Sequence, residues 1–493
     1  MSSSPLFRDD SPLDVLIVGA GLSGIGTAVW LQNECPGKRY AILEARHSLG
    51  GTWDLFRYPG IRSDSDMYTL GYAFKPWTNP RAIADGPSIR QYIEETAHEY
   101  GIMPHIRFEH KVVGASWSSP DALWTVEVED VATGVKQSIQ ARFLYMCSGY
   151  YSYEHPHRPT FAGEADFKGP IILPQFWPRD VSYADKRVVV IGSGATAMTL
   201  VPAMAQSAKH VTMVQRSPSY VVALPGEDTL AQRMRQLLPE RLAYRLIRWK
   251  NVVQRVIVFW IARQWPKLAK KQLVQLVREE LGPDYDVDRH FSPRYNPWDQ
   301  RVCLVPDGDL FGAIRAGKAS VVTDEIERFT ADNLHLKSGE HVPADVVVMA
   351  TGLTIQLFGG IALTVDGRTY KTSELMAYKG MMLSDIPNLS IAFGYTNASW
   401  TLKTDLTASY VCRLLRYMDR HGYATVVPRR QPHVEPRPFL DFTSGYVQRA
   451  AHLLPQQGSR RPWQVYQNYL KDLFTIRFGR LNDGVLHFGK KSD

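Results

Sequence analysis

The sequence has few of the residues that cross-link a chain or bind a metal ion. It is 493 residues long but contains only four cysteines, which lie far apart and form no Cys-x-x-Cys pair. Cysteines of this kind, in a chain without secretory features, are expected to remain reduced thiols in a cytoplasm. No group of histidines and cysteines has the spacing of a metal site. The sequence therefore predicts no disulfide framework, no dithiol redox centre and no bound metal.

Long apolar segments are also missing. A membrane-spanning helix needs about 18 or more apolar residues in succession. The most apolar candidate, VIVFWIA at 256–262, covers only about two helical turns. The N-terminal stretch MSSSPLFRDDSPLD has no basic start followed by an apolar core, so no secretory signal is expected. We therefore expect a cytoplasmic protein without a membrane span.

The net charge of +8 comes almost entirely from one segment. Residues 230–281 contain twelve lysines and arginines against three glutamates, so the rest of the chain is close to neutral. A basic region this local does not predict a nucleic-acid partner. The segment also carries tryptophans at helical spacing. This pattern fits either an amphipathic helix in peripheral contact with an anionic membrane or a helical insertion that walls a substrate pocket.

A dinucleotide-binding pattern opens the chain. The apolar run LDVLIV at 13–18 predicts a strand, and Gly19, Gly21 and Gly24 follow it at the start of a predicted helix. The glycines let a backbone turn approach a pyrophosphate, and the helix N-terminus attracts its negative charge. Glu44 ends the next apolar run, 20 residues beyond Gly24, where a carboxylate would bind ribose hydroxyls. This unit suits FAD or NAD because an acidic side chain disfavours a 2′-phosphate.

A second unit repeats the pattern after residue 186. RVVVIG at 187–192 predicts a strand, and the next strand ends in Arg216 and Ser217. Arg216 can pair with a 2′-phosphate, so this unit favours NADPH over NADH. The residues expected to contact NADPH in its turn and first helical residues are Gly192, Ser193, Gly194, Ala195, Thr196, Ala197 and Met198.

The order of these segments predicts an α/β protein with two Rossmann-like dinucleotide-binding domains, the second inserted in the first. DVVVMATG at 345–352 is a further strand that ends in a turn of small residues, which fits a crossing between the domains. We expect the FAD-binding domain to comprise residues 1–150 and 351–493. The NADPH-binding domain would comprise 151–350, including a basic helical insertion at about 228–295.

Two nucleotide sites in one chain indicate a hydride relay, in which NADPH reduces FAD and the reduced flavin passes electrons on. A disulfide reductase would need a Cys-x-x-Cys pair, which this sequence lacks. Transfer to O2 is the remaining common route. The sequence therefore predicts O2 as a substrate, and it specifies no oligomeric state.

Further motifs connect the chain to a known family. GGTW at 50–53 looks like a motif of flavin-dependent monooxygenases, and FKGPIILPQFWP at 167–178 matches the frame F-x-G-x-x-x-H-x-x-x-W-P except at the histidine. The order GxGxxG, GGTW, this frame, GxGxxA and ATG is similar to type I Baeyer–Villiger monooxygenases. It resembles more loosely the flavin-containing monooxygenases that oxidise soft nitrogen and sulfur. The Trp-Pro ending of the frame favours the first family.

The resemblance implies an FAD- and NADPH-dependent reaction in which a C4a-peroxyflavin inserts oxygen into a small apolar ketone or oxidises a sulfide to a sulfoxide. It implies that Arg301, in NPWDQRVCLVP, lies beside the flavin and stabilises negative charge. Asp64 would orient this arginine, while Arg62 and Ser63 would lie on the nicotinamide side of the same loop. The other residues implied at the FAD are Ser23, Gly51, Thr52, Trp53, Asp54, Leu55 and Val112.

Two positions depart from the family pattern. Leu173 replaces the histidine of the frame, and it loses every hydrogen bond that a histidine could make. Gln300 precedes Arg301 where some members have a lysine that helps to hold the NADPH phosphate, so more of the NADPH preference would fall on Arg216. Two hypotheses stay open: a working monooxygenase with altered coupling, or an uncoupled flavoprotein that acts as an NADPH oxidase.

Overall fold

A computed structural model describes residues 11–440 and 442–491. The N-terminal residues on which the expectation of no secretory signal rests lie mostly outside these ranges. The elements of the first part of the chain are strands β1 (Leu13–Val18), β2 (Tyr40–Leu43), β3 (Ile106–Arg107), β4 (His110–Ser118), β5 (Leu123–Asp130) and β6 (Lys136–Met146), with helices α1 (Leu22–Glu34), α2 (Thr52–Leu55), α3 (Met67–Leu70) and α4 (Gly86–Glu99).

The middle of the chain contains ten strands and six helices among its described residues. The strands are β7 (Ile171–Ile172), β8 (Arg187–Ile191), β9 (His210–Gln215), β10 (Tyr220–Leu224), β11 (Val302–Pro306), β12 (Ala319–Thr323), β13 (Ile326–Phe329), β14 (Asn333–Leu336), β15 (His341–Pro343) and β16 (Val346–Met349). The helices are α5 (Ala195–Met204), α6 (Thr229–Leu237), α7 (Glu240–Gln264), α8 (Pro266–Leu281), α9 (Val287–Phe291) and α10 (Asp309–Arg315).

The last part of the chain returns to short strands and one long helix. The strands are β17 (Leu363–Val365), β18 (Arg368–Tyr370), β19 (Ala377–Tyr378), β20 (Met382–Leu383), β21 (Leu389–Ile391), β22 (Thr425–Pro428), β23 (Pro436–Pro438), β24 (Gln456–Gly458) and β25 (Leu486–Gly489). The helices are α11 (Trp400–His421), α12 (Gly445–Ala450) and α13 (Tyr469–Asp472), and α13 continues as a π-helical turn, Leu473–Arg477.

The larger sheet is built around the first predicted nucleotide unit. Its strands follow the order β18-β17-β4-β5-β6-β1-β2-β3, and β21 also pairs with β6. Strand β1 is parallel to both neighbours, with Val15 opposite Tyr40 in β2 and Phe143 in β6. Its apolar side chains are buried because residues pack on both faces of this central strand.

The smaller sheet is built around the second unit. Its five strands are all parallel, in the order β12-β9-β8-β16-β7. Val189 of β8 pairs with Thr212 in β9 and Val347 in β16, and α5 follows β8 directly. The α/β class with Rossmann-like units is confirmed. The domain boundaries at residues 150 and 351 remain a prediction. The strands of the larger sheet come from 13–146 and 363–391, and those of the smaller sheet come from 171–349.

Helices α6 to α9 form the helical segment between β10 and β11. Helix α7 is fixed to the rest of the protein by a buried arginine, because Arg248 Nη1 donates hydrogen bonds to the carbonyl oxygens of Tyr68 (2.8 Å) and Gly71 (2.7 Å). Among the described helices, none is both long and apolar enough to cross a membrane.

Candidate active site

A cavity of about 380 Å³ lies where residues from both nucleotide units meet. It brings together most residues predicted for the FAD, both residues predicted at the reacting centre and the first two residues of α5, which follow the second glycine turn. The predicted residues that line it are Gly19, Gly21, Ser23, Glu44, Gly51, Thr52, Trp53, Arg62, Ser63, Asp64, Val112, Ala195, Thr196 and Arg301.

The first glycine turn is shaped so that larger residues would not fit. Gly19 has φ +104°, and a Cβ there would lie 2.6 Å from the carbonyl oxygen of Cys147. A Cβ on Gly24 would lie 1.8 Å from the carbonyl oxygen of Gly19, so α1 packs directly on the turn although Gly24 does not line the cavity. Gly21 and Gly51 face each other, since a Cβ on Gly21 would be 3.4 Å from the Gly51 Cα. The result is a narrow backbone cradle at the N-terminus of α1, where unpaired N–H groups attract a phosphate.

Glu44 lies at the adenosine end expected for this cradle. Its carboxylate is buried, and it accepts hydrogen bonds from the backbone N–H groups of Ala20 (2.8 Å) and Arg46 (3.0 Å). Burial raises the pKa of Glu44, and these two hydrogen bonds oppose the rise. Val112 is near because the backbone N–H of His110 donates to the Glu44 carbonyl oxygen at 2.9 Å. The carboxylate is therefore held rigidly at the cavity edge, with lone pairs left for ribose hydroxyls.

Arg301 and Asp64 form an ion pair on the cavity wall. Arg301 Nη2 lies 2.7 Å from Asp64 Oδ2. Both side chains keep accessible surface, 39% for Arg301 and 33% for Asp64, because they border the cavity rather than the outer surface. The Asp64 charge raises the pKa of Arg301 further above its ordinary value. The guanidinium is therefore a permanent cation on the wall of the cavity.

Aromatic side chains that the sequence interpretation missed form the wall near this ion pair. The rings of Tyr150 and Trp400 stack with centroids 5.0 Å apart, and Trp400 Nε1 donates a 2.8 Å hydrogen bond to Ser23 Oγ. Tyr151 and Tyr395 also line the cavity. The turn FLYMCSGYY, in which a buried strand ends at Gly149, was the available signal for the two adjacent tyrosines. Nothing in the local pattern marks Trp400, which arrives from the start of α11.

Arg62 connects the first unit to the second. Its guanidinium pairs with both carboxylate oxygens of Asp309, at the start of α10, and Nη2 lies 3.4 Å from the Met198 carbonyl oxygen. Ser63 is buried, and its hydroxyl donates to the Ser65 carbonyl oxygen. Sequence reasoning missed Asp309 because an acidic residue in a first helical turn is common. Its pairing leaves Arg62 fixed at the cavity instead of free in solvent.

The second glycine turn lies outside this cavity, with Gly192 and Ser193 half-buried and Gly194 exposed. Gly192 has φ +132°, and a Cβ there would lie 2.3 Å from the Ala350 carbonyl oxygen, whereas a Cβ on Gly194 would meet nothing within 4 Å. Ser193 Oγ donates to the carbonyl oxygen of Ser217 at 3.0 Å, which joins the turn to the end of β9. Arg216 is exposed beside it. An open turn with an exposed arginine leaves room for a second nucleotide outside the main cavity.

Besides Gly24, the second glycine turn, Arg216 and Ser217, four further predicted residues lie away from the cavity. Asp54 and Leu55 belong to the same helical turn as Thr52 and Trp53, but successive residues of a helix point in different directions. The Asp54 carboxylate has no exposed surface and binds Arg46 (2.5 Å), Arg57 (2.9 Å) and Arg90 (3.3 Å).

Leu55 packs instead against the apolar cluster of the second unit. The side chains of Ala197 and Met198 are buried in that cluster as well. Ala197 thus fits the close packing of helix on strand for which the fingerprint needs a small residue.

Leu173 does not line the cavity. It is partly buried against the apolar cluster of the smaller sheet, which includes Phe167 and Val214. Two residues further on, Gln175 Nε2 donates to the carbonyl oxygens of Ser152 and Tyr153, each at 2.9 Å. Tyr153 lines the cavity, so the segment around Leu173 is tied to the cavity wall through Gln175 and not through Leu173 itself.

Comparisons with known proteins agree with this geometry. Residues 80–393 match the family model for flavin-binding monooxygenase-like proteins, and residues 17–81 match the model for an NAD(P)-binding Rossmann-like domain. The chain is 56% identical over 481 residues to the FAD-containing monooxygenase EthA of Mycobacterium tuberculosis, covering 97% of this chain and 98% of that protein.

Two solved structures share the fold. A steroid monooxygenase bound to NADP superposes with a TM-score of 0.75 at 21% identity, covering 97% of this chain and all of the other. OTEMO in complex with FAD and NADP superposes with a TM-score of 0.76 at 20% identity, covering 98% of this chain and all of the other.

Proposed function

The chain belongs to the flavin-binding monooxygenase-like family, and from this premise we propose that it is an FAD-containing, NADPH-dependent monooxygenase of the Baeyer–Villiger type. Its substrates are O2 and a small apolar ketone or sulfide. The observation that carries this proposal is the Arg301–Asp64 ion pair, which lies in the same cavity as the glycine cradle of the first unit and Thr196 of the second.

The residues present fit FAD in the main cavity. Gly19, Gly21 and Gly51 leave the backbone open to a pyrophosphate, and the Glu44 carboxylate would accept hydrogen bonds from the ribose hydroxyls. The cavity extends from this end to the Tyr150–Trp400 wall, where a flat ring system would lie against aromatic side chains. Bound FAD supplies a ring that accepts hydride from NADPH and passes the electrons to O2.

The open turn at Gly192–Gly194 and the exposed Arg216 fit NADPH. The turn leads into α5, whose N-terminus attracts a pyrophosphate, and Arg216 offers a guanidinium to the 2′-phosphate. Ala195 and Thr196, at the start of α5, reach the main cavity. A dinucleotide that follows these residues would place its nicotinamide near Arg62 and Asp64. The proposal includes an FAD-binding domain of residues 1–150 and 351–493 and an NADPH-binding domain of 151–350.

The balanced reaction consumes one NADPH, one proton and one O2 for each substrate. One oxygen atom enters the ketone to give an ester or lactone, or enters a sulfide to give a sulfoxide, and the other leaves as water. During attack on a ketone, the carbonyl oxygen gains negative charge. Arg301 is a fixed cation that stabilises such charge, and Asp64 holds the guanidinium in place. The proposal also includes the C4a-peroxyflavin, which the family resemblance implies as the species that transfers oxygen.

The test measures turnover of several ketones and sulfides by the FAD-loaded protein with NADPH and O2. Formation of ester or sulfoxide that depends on NADPH supports the proposal. Absence of any oxygenated product from a broad panel, with FAD bound and NADPH oxidised, contradicts it. That second result would favour the alternative function, an uncoupled NADPH oxidase, for which Leu173 is the motivating observation.

A further inference from the structure

Helix α7 carries an exposed apolar stripe along most of its length. The stripe residues recur every three or four positions, which places them on one face of the helix. Each is between 40% and 53% exposed. They are Leu242, Leu246, Trp249, Val253, Ile257 and Trp260. Large apolar side chains rarely line up on a free surface, and such a stripe marks a binding surface.

The other side of α7 is held firmly, so the stripe is not the result of a loosely packed helix. Arg248 is buried and donates hydrogen bonds to backbone carbonyl oxygens of the segment 68–71. Asn251 Nδ2 and Arg255 Nε both donate to the Asp66 carboxylate, at 2.9 Å and 3.0 Å. These polar contacts orient the helix and leave its apolar stripe pointing outward.

Positive charges flank the stripe. Arg241 and Arg245 directly precede two of its leucines on α7, and Lys267 and Lys271 lie on α8. All four are exposed, and none forms an ion pair within the described part of the chain. An apolar stripe with tryptophan, bordered by lysine and arginine, matches the surface of a bilayer that contains anionic lipids.

The stripe also lies close to the main cavity. The rings of Trp249 and Tyr469 are 6.1 Å apart between centroids. Tyr469 lines a small second cavity of about 20 Å³, together with Val256 on the inner side of α7. Ala398 belongs to the walls of both cavities. Tyr469 and Ala398 therefore connect the exposed stripe to the wall of the main cavity through the small second cavity.

We propose that the stripe of α7 docks on an anionic phospholipid bilayer, from which the protein takes apolar substrate. The docking rests only on the surface described here, and the substrate delivery rests on the proposed monooxygenase function. A bilayer fits better than a protein partner because the apolar strip runs along one 25-residue helix that carries exposed arginines beside it and leads directly into the basic helix α8.

The docking test is co-sedimentation of the full chain with vesicles of phosphatidylcholine alone or mixed with phosphatidylglycerol. We expect binding to the mixed vesicles, weakened by salt because salt screens the basic side chains. The double variant Leu246→Ser with Ile257→Ser should lower the partition coefficient on the order of tenfold, because lipid would no longer bury those apolar groups.

The matched control is Val131→Ser with Val135→Ser, since these valines are 51% and 42% exposed on the loop between β5 and β6. The control should bind vesicles as the unchanged protein does. Failure of the unchanged protein to bind, or equal binding by the α7 variant, would overturn the proposal. So would a dimer in sedimentation velocity that the α7 variant dissociates, because the stripe would then be an interface between two copies.

Vesicle binding requires no turnover, so its outcome is separate from the outcome for the monooxygenase function. Delivery is tested with a long-chain ketone dissolved in the mixed vesicles. The α7 variant should oxidise this ketone more slowly than the unchanged protein, while both oxidise a water-soluble ketone equally. Equal rates on the vesicle-dissolved ketone would overturn the delivery role.

Discussion

Arg301 Nη2 lies 2.7 Å from Asp64 Oδ2, and this pair joins two distant parts of the chain at the cavity wall. Arg301 directly precedes β11, whereas Asp64 lies in the loop between α2 and α3. The carboxylate orients the guanidinium at the cavity wall, where the proposed function requires a cation to stabilise negative charge on substrate oxygen.

Replacement of Arg301 by alanine should lower kcat for oxygenation by roughly 100-fold to 1,000-fold, because the cation that stabilises the developing charge is lost. FAD content should not change, since the glycine cradle and Glu44 lie elsewhere on the cavity. Product formation and flavin absorbance measure the two effects separately. Arg294→Ala, an exposed arginine earlier in the same loop, is the control. An unchanged kcat in Arg301→Ala would contradict the assigned role.

Arg216→Ala should raise KM for NADPH by about tenfold or more, because an arginine–phosphate pair is a strong charge-assisted interaction. KM for NADH should stay the same, since NADH has no 2′-phosphate. Steady-state kinetics with both coenzymes provides the measurement. Arg420→Ala, an exposed arginine on α11, should alter neither value. If Arg216→Ala affects NADPH and NADH equally, the arginine does not select the phosphate.

Asp54→Asn should destabilise the fold by about 3 kcal/mol near neutral pH, because it leaves three arginines around a group without charge. Burial tends to raise the pKa of Asp54, but the hydrogen bonds from Arg46 and Arg57, together with the charge of Arg46, outweigh burial and lower the pKa to about 2. Because the folded-state pKa lies below the ordinary value of about 3.9, the ionised carboxylate stabilises the fold above pH about 4, and this stability is lost as pH falls toward 2.

Denaturant unfolding of Asp54→Asn and the unchanged protein across this pH range tests the effect. The difference in unfolding free energy should be largest near neutral pH and shrink toward pH 2. The exposed Asp180→Asn serves as the control. A difference that does not depend on pH would show that the Asp54 charge is not the stabilising feature.

Leu173→His should change how much peroxide the protein releases or how tightly it binds NADPH, without abolishing oxygenation. The reason is that Leu173 packs on the smaller sheet, away from the cavity, while its neighbour Gln175 contacts the cavity wall. Peroxide assays and NADPH titration measure the two quantities. Phe176→His, at an exposed position three residues on, controls for adding an imidazole to this segment. Unchanged leakage and affinity would rule out a coupling role for this position.

The local sequence was sufficient to predict those features whose residues lie close together along the chain. Gly19, Gly21, Glu44 and the second glycine turn follow strands, so periodicity and spacing predicted the two Rossmann-like units. The approach of Arg301 to Asp64 has no local signal, and it was expected only through the family resemblance. Helical geometry decided the position of Asp54, which lies in the same turn as Thr52 but faces three arginines.

The residues that were missed come from distant segments. Trp400 lines the cavity from the start of α11, whereas Asp309 of α10 lies behind Arg62 and pairs with it, and neither has a neighbour in sequence that marks a site. For the basic segment 230–281, the sequence pattern fitted either a helix on an anionic membrane or a helical insertion that walls a substrate pocket, and hydrophobic periodicity could not distinguish the two. The structure shows that α7 carries both an outer apolar stripe and an inner polar face that contacts the loop beside Asp64.

The proposed coupling of NADPH oxidation to oxygen insertion is tested by the stoichiometry of a single reaction. With a limiting amount of NADPH and excess ketone or sulfide, we measure oxygenated product and hydrogen peroxide together. We expect close to one product molecule for each NADPH oxidised, with peroxide as a minor by-product. Peroxide equal to the NADPH consumed, with no product from any ketone or sulfide, would contradict it.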